Sequence, residues 1–284
     1  MSHIAHLEKT HGSLKGKKIF DLGSGRGKFL FACAEAGYDV VGLELNPEKI
    51  KATQAVAREK GVSVSVVQGK AERIPFEGNA FDFINASELI EHVEDPAPAL
   101  REMHRVLRPG GTAYVSAHNQ FGLYDTHFHV PFLSWIPRAW AEGYLWLLGK
   151  QKRYEGVVDR QRIGEMHYFT FHGFAWLARS AGFHVSDDRE LKIERRYGGL
   201  WRALIGAFYR VALRPCMSTF HFYLAKRAAV PSAHGELLYI TNARIPTEKA
   251  HGLQIMKSCE AFAQCGMAVT LAVPFRFGTV RKDP

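Results

Sequence analysis

Ile19-Phe20-Asp21-Leu22-Gly23-Ser24-Gly25-Arg26-Gly27-Lys28-Phe29-Leu30 is the stretch whose reading decides the fold. The apolar run from Lys17 to Leu22 stops at glycines, as a buried parallel strand does. Gly23, Gly25 and Gly27 permit a tight turn off that strand and bring bare backbone close to a ligand. A helix over Lys28 to Ala36 follows, with Gly37 as its stop. The next strand, Asp39 to Leu43, runs into an acid, Glu44. In a doubly wound sheet such a carboxylate lies across the strand ends, where it can accept from both hydroxyls of a ribose. A glycine-rich turn also serves nicotinamide dinucleotides, but those use Gly-x-Gly-x-x-Gly and need the helix N-terminus for a pyrophosphate. Here the spacing is Gly-x-Gly-x-Gly, with Asp21 two residues ahead. That placement suits a nucleoside carrying an amino group and no phosphate.

Working outward, strands and helices keep alternating. Pro47 sits where a first helical turn tolerates proline, and the helix runs to about Lys60. Val62 to Val67 and Phe81 to Ala86 read as strands. Asp95 to Leu107 reads as a helix started by Asp95 and Pro96. Pro109-Gly110-Gly111 turns into a strand over Thr112 to Ala117. This order predicts a parallel sheet covered on both faces. Residues 118–165 are rich in aromatics and histidines and read as an insertion over the C-terminal edge of the sheet. A helix over Phe171 to Ala181, a strand from Phe183, a helical Leu200 to Leu213 and a last strand over Ser218 to Ala225 complete residues 1–227. Residues 228–235 read as a linker. From Glu236 a strand-helix-strand pattern starts again, through Gly252 to Ala263 and Met267 to Val273.

Residues 17–117 resemble the broad class I methyltransferase family that includes the ubiquinone O-methyltransferases. The resemblance is carried by Asp21-Leu22-Gly23-Ser24-Gly25-Arg26-Gly27, Glu44, Ala71-Glu72-Arg73-Ile74-Pro75-Phe76, Phe81-Asp82-Phe83-Ile84, Glu91-His92-Val93 and Arg105-Val106-Leu107-Arg108-Pro109-Gly110-Gly111. It implies a Rossmann-like, seven-stranded sheet and S-adenosyl-L-methionine as cofactor. It further implies that Asp21, Gly23, Ser24, Gly25 and Gly27 form the methionine and ribose side of the site, that Glu44 and Leu45 hold the ribose, that Ala71 and Glu72 border adenine, and that Ser87 lies against the methionine. One position departs: Lys70 stands where the family has an acid that contacts adenine.

Transfer to a hydroxyl benefits from positioning and from a general base. His92, His118, His127, His129 and His167 are the candidates, and His118, directly after the fifth strand, is the best placed. Glu88, Glu91 and His92 form Glu-x-x-Glu-His, a cluster similar to one that holds a divalent ion in some ubiquinone-type enzymes. The simpler reading is a solvated helix start, so no metal is expected. The net charge of +9 is concentrated. Residues 138–227 carry 16 Lys+Arg against 8 Asp+Glu, whereas residues 1–137 carry 15 against 16. Phe132 to Trp140 and Tyr144 to Leu148 combine aromatics with flanking Arg and Lys, and Leu200 to Arg214 spaces Arg202, Arg210 and Arg214 along one helical face and Leu200, Leu204 and Phe208 along another. Such segments can lie in an anionic membrane interface, although a core or dimer helix is the simpler explanation.

Leu237 to Met256, Cys259 to Ala263 and Val269 to Pro274 resemble the N-terminal strand, loop and helix of family 4, two-Rossmann-domain glycosyltransferases. The nucleotide-sugar domain of such enzymes is missing, so the segment is a truncated one and no sugar transfer is expected. Its presence suggests a small-molecule, saccharide or lipid-linked methyl acceptor from surface glycan synthesis. A quinone-like acceptor stays open. No RNA-binding module is recognisable despite a pI of about 9.4, which argues against nucleic acid. The N-terminal residues lack an apolar core, and the four cysteines show no Cys-x-x-Cys spacing. A cytoplasmic protein, at most peripheral to the inner face of the membrane, is therefore expected.

Overall fold

The computed structural model describes residues 3–150, 163–228, 236–240 and 268–272. The chain divides into two compact units, Met1–Arg227 and Ala228–Pro284. In the first, strands β1 (Lys18–Leu22), β2 (Asp39–Glu44), β3 (Ser65–Gln68), β4 (Phe81–Ala86), β5 (Leu107–His118), β8 (His184–Asp187) and β9 (Thr219–Ala225) form one seven-stranded sheet. Its order is β3-β2-β1-β4-β5-β9-β8. All pairs are parallel except those of β9, which runs antiparallel to both neighbours. A further hairpin, β6 (Tyr124–Asp125) with β7 (Val130–Pro131), lies in the insertion. The doubly wound, seven-stranded reading of the sequence agrees with this architecture.

Strand alternation splits the core between the two faces. Phe20, Leu22, Ile84, Val115, Phe222 and Leu224 point to one face, where helix α4 (Pro96–Val106) and helix α6 (Phe171–Ser180) cover them with Leu100, Met103, Phe174 and Ala178. Ile19, Phe83, Tyr114 and Tyr223 point to the other, under α1 (His3–His11) and α2 (Lys28–Glu35). Helix α3 (Pro47–Lys60) begins where the Asn46 side chain accepts from the Glu48 amide at 2.9 Å. Helix α4 begins in the same manner at Asp95, whose carboxylate accepts from Ala97 N at 2.9 Å.

Several element boundaries differ from the sequence reading. The N-terminal residues, read as featureless and polar, form α1, because Ile4 and Leu7 reach the core together with Leu14. The expected turn at Pro109-Gly110-Gly111 is absorbed into β5 as an irregularity in its pairing with β4. Gly110 has φ +82°, and a Cβ on Gly111 would lie 2.9 Å from the Asp82 carbonyl, so glycine permits the detour. Between β8 and β9 the sequence suggested one helix. The structure has two, α7 (Asp188–Arg196) and α8 (Gly199–Phe208), the latter continued by a π turn over Tyr209–Leu213. Glu88 to His92 are turns, not a helix start.

The insertion has its own small core of Phe128, Val130, Leu133, Ala141, Leu145, Ile163 and Met166, built partly on α5 (Arg138–Leu147). In the second unit, β10 (Glu236–Ile240) and β11 (Ala268–Ala272) pair in parallel. The helix expected over 252–263, and most of the segment resembling a glycosyltransferase, lie outside the described residues.

Gly27 caps α2 at φ +76°, and a Cβ there would lie 2.7 Å from Thr53 Cγ2 on α3. Gly27→Ala combines left-handed strain with this clash and should cost about 2 kcal/mol, read as a lower urea midpoint with unchanged slope.

Candidate functional site

The C-terminal ends of β1, β2 and β4 surround a cavity of about 590 Å³, a size suited to one small organic ligand. Its floor is set by main-chain contacts. The Leu43 carbonyl accepts from both Gly23 N and Ser24 N at 2.9 Å. The Glu44 carboxylate, 7% exposed, accepts from Gly25 N at 2.7 Å through Oε2 and from Asn46 N at 2.9 Å through Oε1. One side chain thereby fixes the glycine turn against the start of α3. Gly23 has a φ of +77°, which favours glycine, and a Cβ there would press on the tip of the Leu89 side chain at 2.8 Å.

Gly23, Gly25, Glu44, Leu45, Ala71, Glu72 and Ser87 all line this cavity. Asp21, Ser24 and Gly27 do not; they lie beneath it and support it. Asp21 is 2% exposed and accepts from Asn85 Nδ2 at 2.7 Å. Ser87 Oγ donates to Asn85 Oδ1 at 3.0 Å, which continues the chain of bonds to the cavity wall. Burial pushes the Asp21 carboxyl up to about 7; the Asn85 bond opposes that rise and the Glu44 charge adds to it. The segment Ala71 to Phe76, whose Ala71 and Glu72 line the cavity, is held from α4. Arg105 donates to the carbonyls of Phe76 and Ile74 at 2.8 and 2.9 Å, and Glu102 Oε2 accepts from Ile74 N at 2.8 Å. Lys70, the departure noted in the sequence, also lines the cavity, with its ammonium paired to Glu94.

The histidines divide sharply. His118 is 1% exposed and does not line the cavity, so its selection as the best-placed base is corrected. It is the last residue of β5, and the strand carries its ring into the interior. His92 and His127 do line the cavity, with Glu88. His129 is exposed, and His167 Nε2 contacts the Glu94 carbonyl at 3.3 Å.

Behind the cavity-lining His127 sits Glu91, wholly buried. Its Oε1 is 3.0 Å from His118 Nδ1 and 3.4 Å from His127 Nε2. Glu88 Oε2 is 3.9 Å from His127 Nε2. Burial raises the Glu91 carboxyl, but His118 and His127 outweigh it and hold the group down at about 2. Burial likewise lowers His118, and the Glu91 charge outweighs it to give a net rise. Glu88, at φ +53°, is held in that strained conformation by its amide donating to Ser116 Oγ at 2.6 Å. The solvated helix start expected for Glu88 to His92 is therefore replaced by a strained turn with a buried acid.

Glu88, Glu91, His118 and His127 each offer one donor atom, all within 4.8 Å of one another. Neither Glu91 oxygen has a partner at hydrogen-bonding geometry. His118 Nε2 is 2.8 Å from Thr126 Oγ1, a contact that fixes the ring and leaves Nδ1 turned to Glu91. This two-histidine, two-carboxylate set fits a divalent ion. Sequence spacing pointed to Glu88, Glu91 and His92. His118 and His127 are separated from them by 26 or more positions, and only the fold brings the two histidines to Glu88 and Glu91.

Comparison with known proteins accords with this geometry. Residues 20–115 match the family profile described as "Methyltransferase domain". Over these residues the chain is similar to a methyltransferase domain. The chain is 34% identical over 113 residues to the ubiquinone biosynthesis O-methyltransferase of Methylococcus capsulatus, covering 39% of this chain and 48% of that one. It is 36% identical over 141 residues to the enzyme of the same name from Azorhizobium caulinodans, covering 48% and 55%. It is 35% identical over 116 residues to the demethylmenaquinone methyltransferase of Chlorobaculum tepidum, covering 39% and 46%. The chain thus spans about half the length of these curated relatives. Among solved structures, a SAM-dependent methyltransferase from Methanosarcina mazei superposes with a TM-score of 0.51 at 20% identity, over 80% of this chain and 99% of that one. The [4+2]-cyclase SpnF superposes with a TM-score of 0.50 at 20% identity, over 79% of each chain. The first unit therefore has a widely shared fold, and that fold alone does not specify the reaction.

The Asp21 carboxyl gives a check on the site's electrostatics. Its native value near 7 lies above the ordinary 3.8, so the folded state holds a proton that the unfolded chain has lost across that window. Its contribution to stability is complete below the lower value and fades as pH rises through the upper one. Asp21→Asn should remove this loss, so the variant's urea midpoint should change less than wild type's between about pH 5 and about pH 7.5.

Proposed function

We propose that the protein is an S-adenosyl-L-methionine-dependent methyltransferase acting on a hydroxyl of an amphiphilic, lipid-linked acceptor. The observation that carries this reading is the Glu44 carboxylate, fixed by Gly25 N and Asn46 N at the cavity wall beside a glycine turn. Its remaining lone pairs are available to ribose hydroxyls. Glu44, Glu72, Glu88 and Glu94 outnumber Lys49 and Lys70 along the cavity, a balance that favours a cationic ligand over a phosphorylated one. S-adenosyl-L-methionine is the cofactor, and when bound it supplies a methyl group on a sulfonium.

The chain's own part is positioning and proton management. Gly23, Gly25 and Leu45 line the cavity and would hold the nucleoside; Ser87, Glu88 and His127 line it too. His127 has the Glu91 carboxylate behind it, 3.4 Å from its Nε2, which orients the ring. His118, buried and stacked on the His127 ring with 4.3 Å between centroids, lies 3.0 Å from the same Glu91 oxygen and positions that carboxylate. His127 is accordingly the residue that takes the acceptor's proton as the methyl group is transferred. A second reading of the same cluster is favoured by the two Glu91 oxygens without hydrogen-bond partners. Glu88, Glu91, His118 and His127 would then hold a divalent ion, which would make a hydroxyl more acidic.

The named relatives act in ubiquinone and menaquinone pathways, which supports an acceptor with a polar ring and a lipid tail. A saccharide acceptor is motivated only by the C-terminal segment's resemblance to glycosyltransferases. Labelled methyl recovered from the lipid, polysaccharide or RNA fraction of source cells distinguishes these acceptors. Calorimetry with S-adenosylhomocysteine should give binding that Glu44→Ala weakens by about 10- to 100-fold, the size expected on losing charged hydrogen bonds. No heat from well-folded wild-type protein would end the assignment. His127→Ala should lower kcat by about 100-fold while leaving cofactor affinity unchanged. Loss of turnover with a chelator, restored by a divalent ion, would select the metal reading instead.

A further inference from the structure

The segment between β8 and β9 carries a surface that the proposed chemistry does not use. Leu200, Trp201, Leu204, Phe208 and Val211 are 72%, 68%, 52%, 60% and 78% exposed. On a helix Leu200, Leu204, Phe208 and Val211 fall on one stripe, with Trp201 at its border. This exposure follows from how the helix is anchored. Gly206 and Tyr209 are buried on its inner side, and the Tyr209 hydroxyl donates to Asp187 Oδ2 at 2.8 Å. Arg214 is also turned inward, with its guanidinium 3.9 Å from the Phe171 ring centroid and 3.1 Å from Glu190 Oε1. Arg202 and Arg210 are exposed, Arg210 with its guanidinium 3.7 Å from Glu190 Oε1.

We propose that α8 and its π-turn extension dock in the plane of an anionic lipid bilayer. Charge complementarity selects this occupant. No Asp or Glu occurs between Glu194 and Glu236, while Arg195, Arg196, Arg202, Arg210, Arg214, Lys226 and Arg227 do. An apolar stripe bordered by tryptophan and arginine, with no acid along its length, matches the acyl boundary and the anionic headgroups above it. Among the described residues no helix is long and apolar enough to cross a membrane, so the stripe can only lie on its surface.

The helix also leads toward the cavity. Asn119 Nδ2 donates to the carbonyls of Pro215 and Met217, just beyond the π turn, at 2.8 and 2.7 Å. Asn119 directly follows β5, and the same loop continues through the exposed Phe121 and Leu123 to the cavity-lining His127 and Phe128. For the proposed methyl transfer, on which this step alone rests, docking would present the cavity to acceptors dissolved in the bilayer.

The test is sedimentation of the full chain with vesicles at low salt, alongside light scattering. Wild type should pellet with phosphatidylglycerol vesicles and stay in solution with phosphatidylcholine ones. Arg202→Gln with Arg210→Gln should weaken the anionic binding by about 25-fold, roughly fivefold per charge. Leu204→Glu with Phe208→Glu should abolish it while leaving the thermal melt and S-adenosylhomocysteine binding unchanged. Wild type that stays in the supernatant, or an L204E/F208E variant that still pellets, would overturn the proposal. So would a dimer in light scattering that the same variant converts to monomer, because a second copy would then cover the stripe. The readout is independent of turnover, so it stands or falls separately from the methyltransferase reading.

Discussion

The Glu44 carboxylate is the interaction on which the rest of the site depends. A carboxylate 7% exposed needs partners, and it finds them in the amides of Gly25 and Asn46. Those two amides belong to different connections, one leaving β1 and the other leaving β2. The side chain therefore joins two loops that the sheet brings side by side, and it remains at the cavity wall after doing so. Bulkier residues at Gly23 or Gly27 would meet Leu89 or Thr53 within 2.8 Å. Sequence, sheet order and cavity are thus tied through a few close backbone approaches.

This dependence explains what was legible in the sequence. The glycine turn, Glu44 and the Ala71 to Phe76 segment are each encoded within a few residues, and strand alternation sets their order. Seven of the ten residues expected at the cofactor side line the cavity: Gly23, Gly25, Glu44, Leu45, Ala71, Glu72 and Ser87. Asp21 was assigned a contact role because its type and position suggested one. The strand instead turns it inward onto Asn85, and burial raises its pKa. Helix α1 escaped notice because only Ile4 and Leu7 mark its buried side, and α7 because its buried residue is an aspartate, Asp188.

The acid-histidine cluster was the least legible part. Glu88 and Glu91 are close in sequence, but His118 comes from the end of β5 and His127 from the hairpin loop between β6 and β7. The neighbouring His92 looked like their natural companion and is not among the clustered donors. A histidine's position along a strand predicts whether it points in or out only when the register is known. The β5–β9 pairing, Ser116 with His221 through His118 with Thr219, supplies that register.

A fold shared with both a methyltransferase and a cyclase leaves reaction and acceptor to what is added at its edges. Here the additions are two. The insertion after β5 has its own small core and contributes His127 and Phe128 to the cavity. The segment between β8 and β9 replaces a short hairpin turn with α7 and α8, and its outward side buries nothing within the first unit. Both are joined at Asn119, which follows β5 and binds the carbonyls of Pro215 and Met217. A shift of α8 would therefore be felt first at Asn119, one residue beyond the histidine that packs against Glu91. Surface and acid-histidine cluster share a mechanical connection through this one amide.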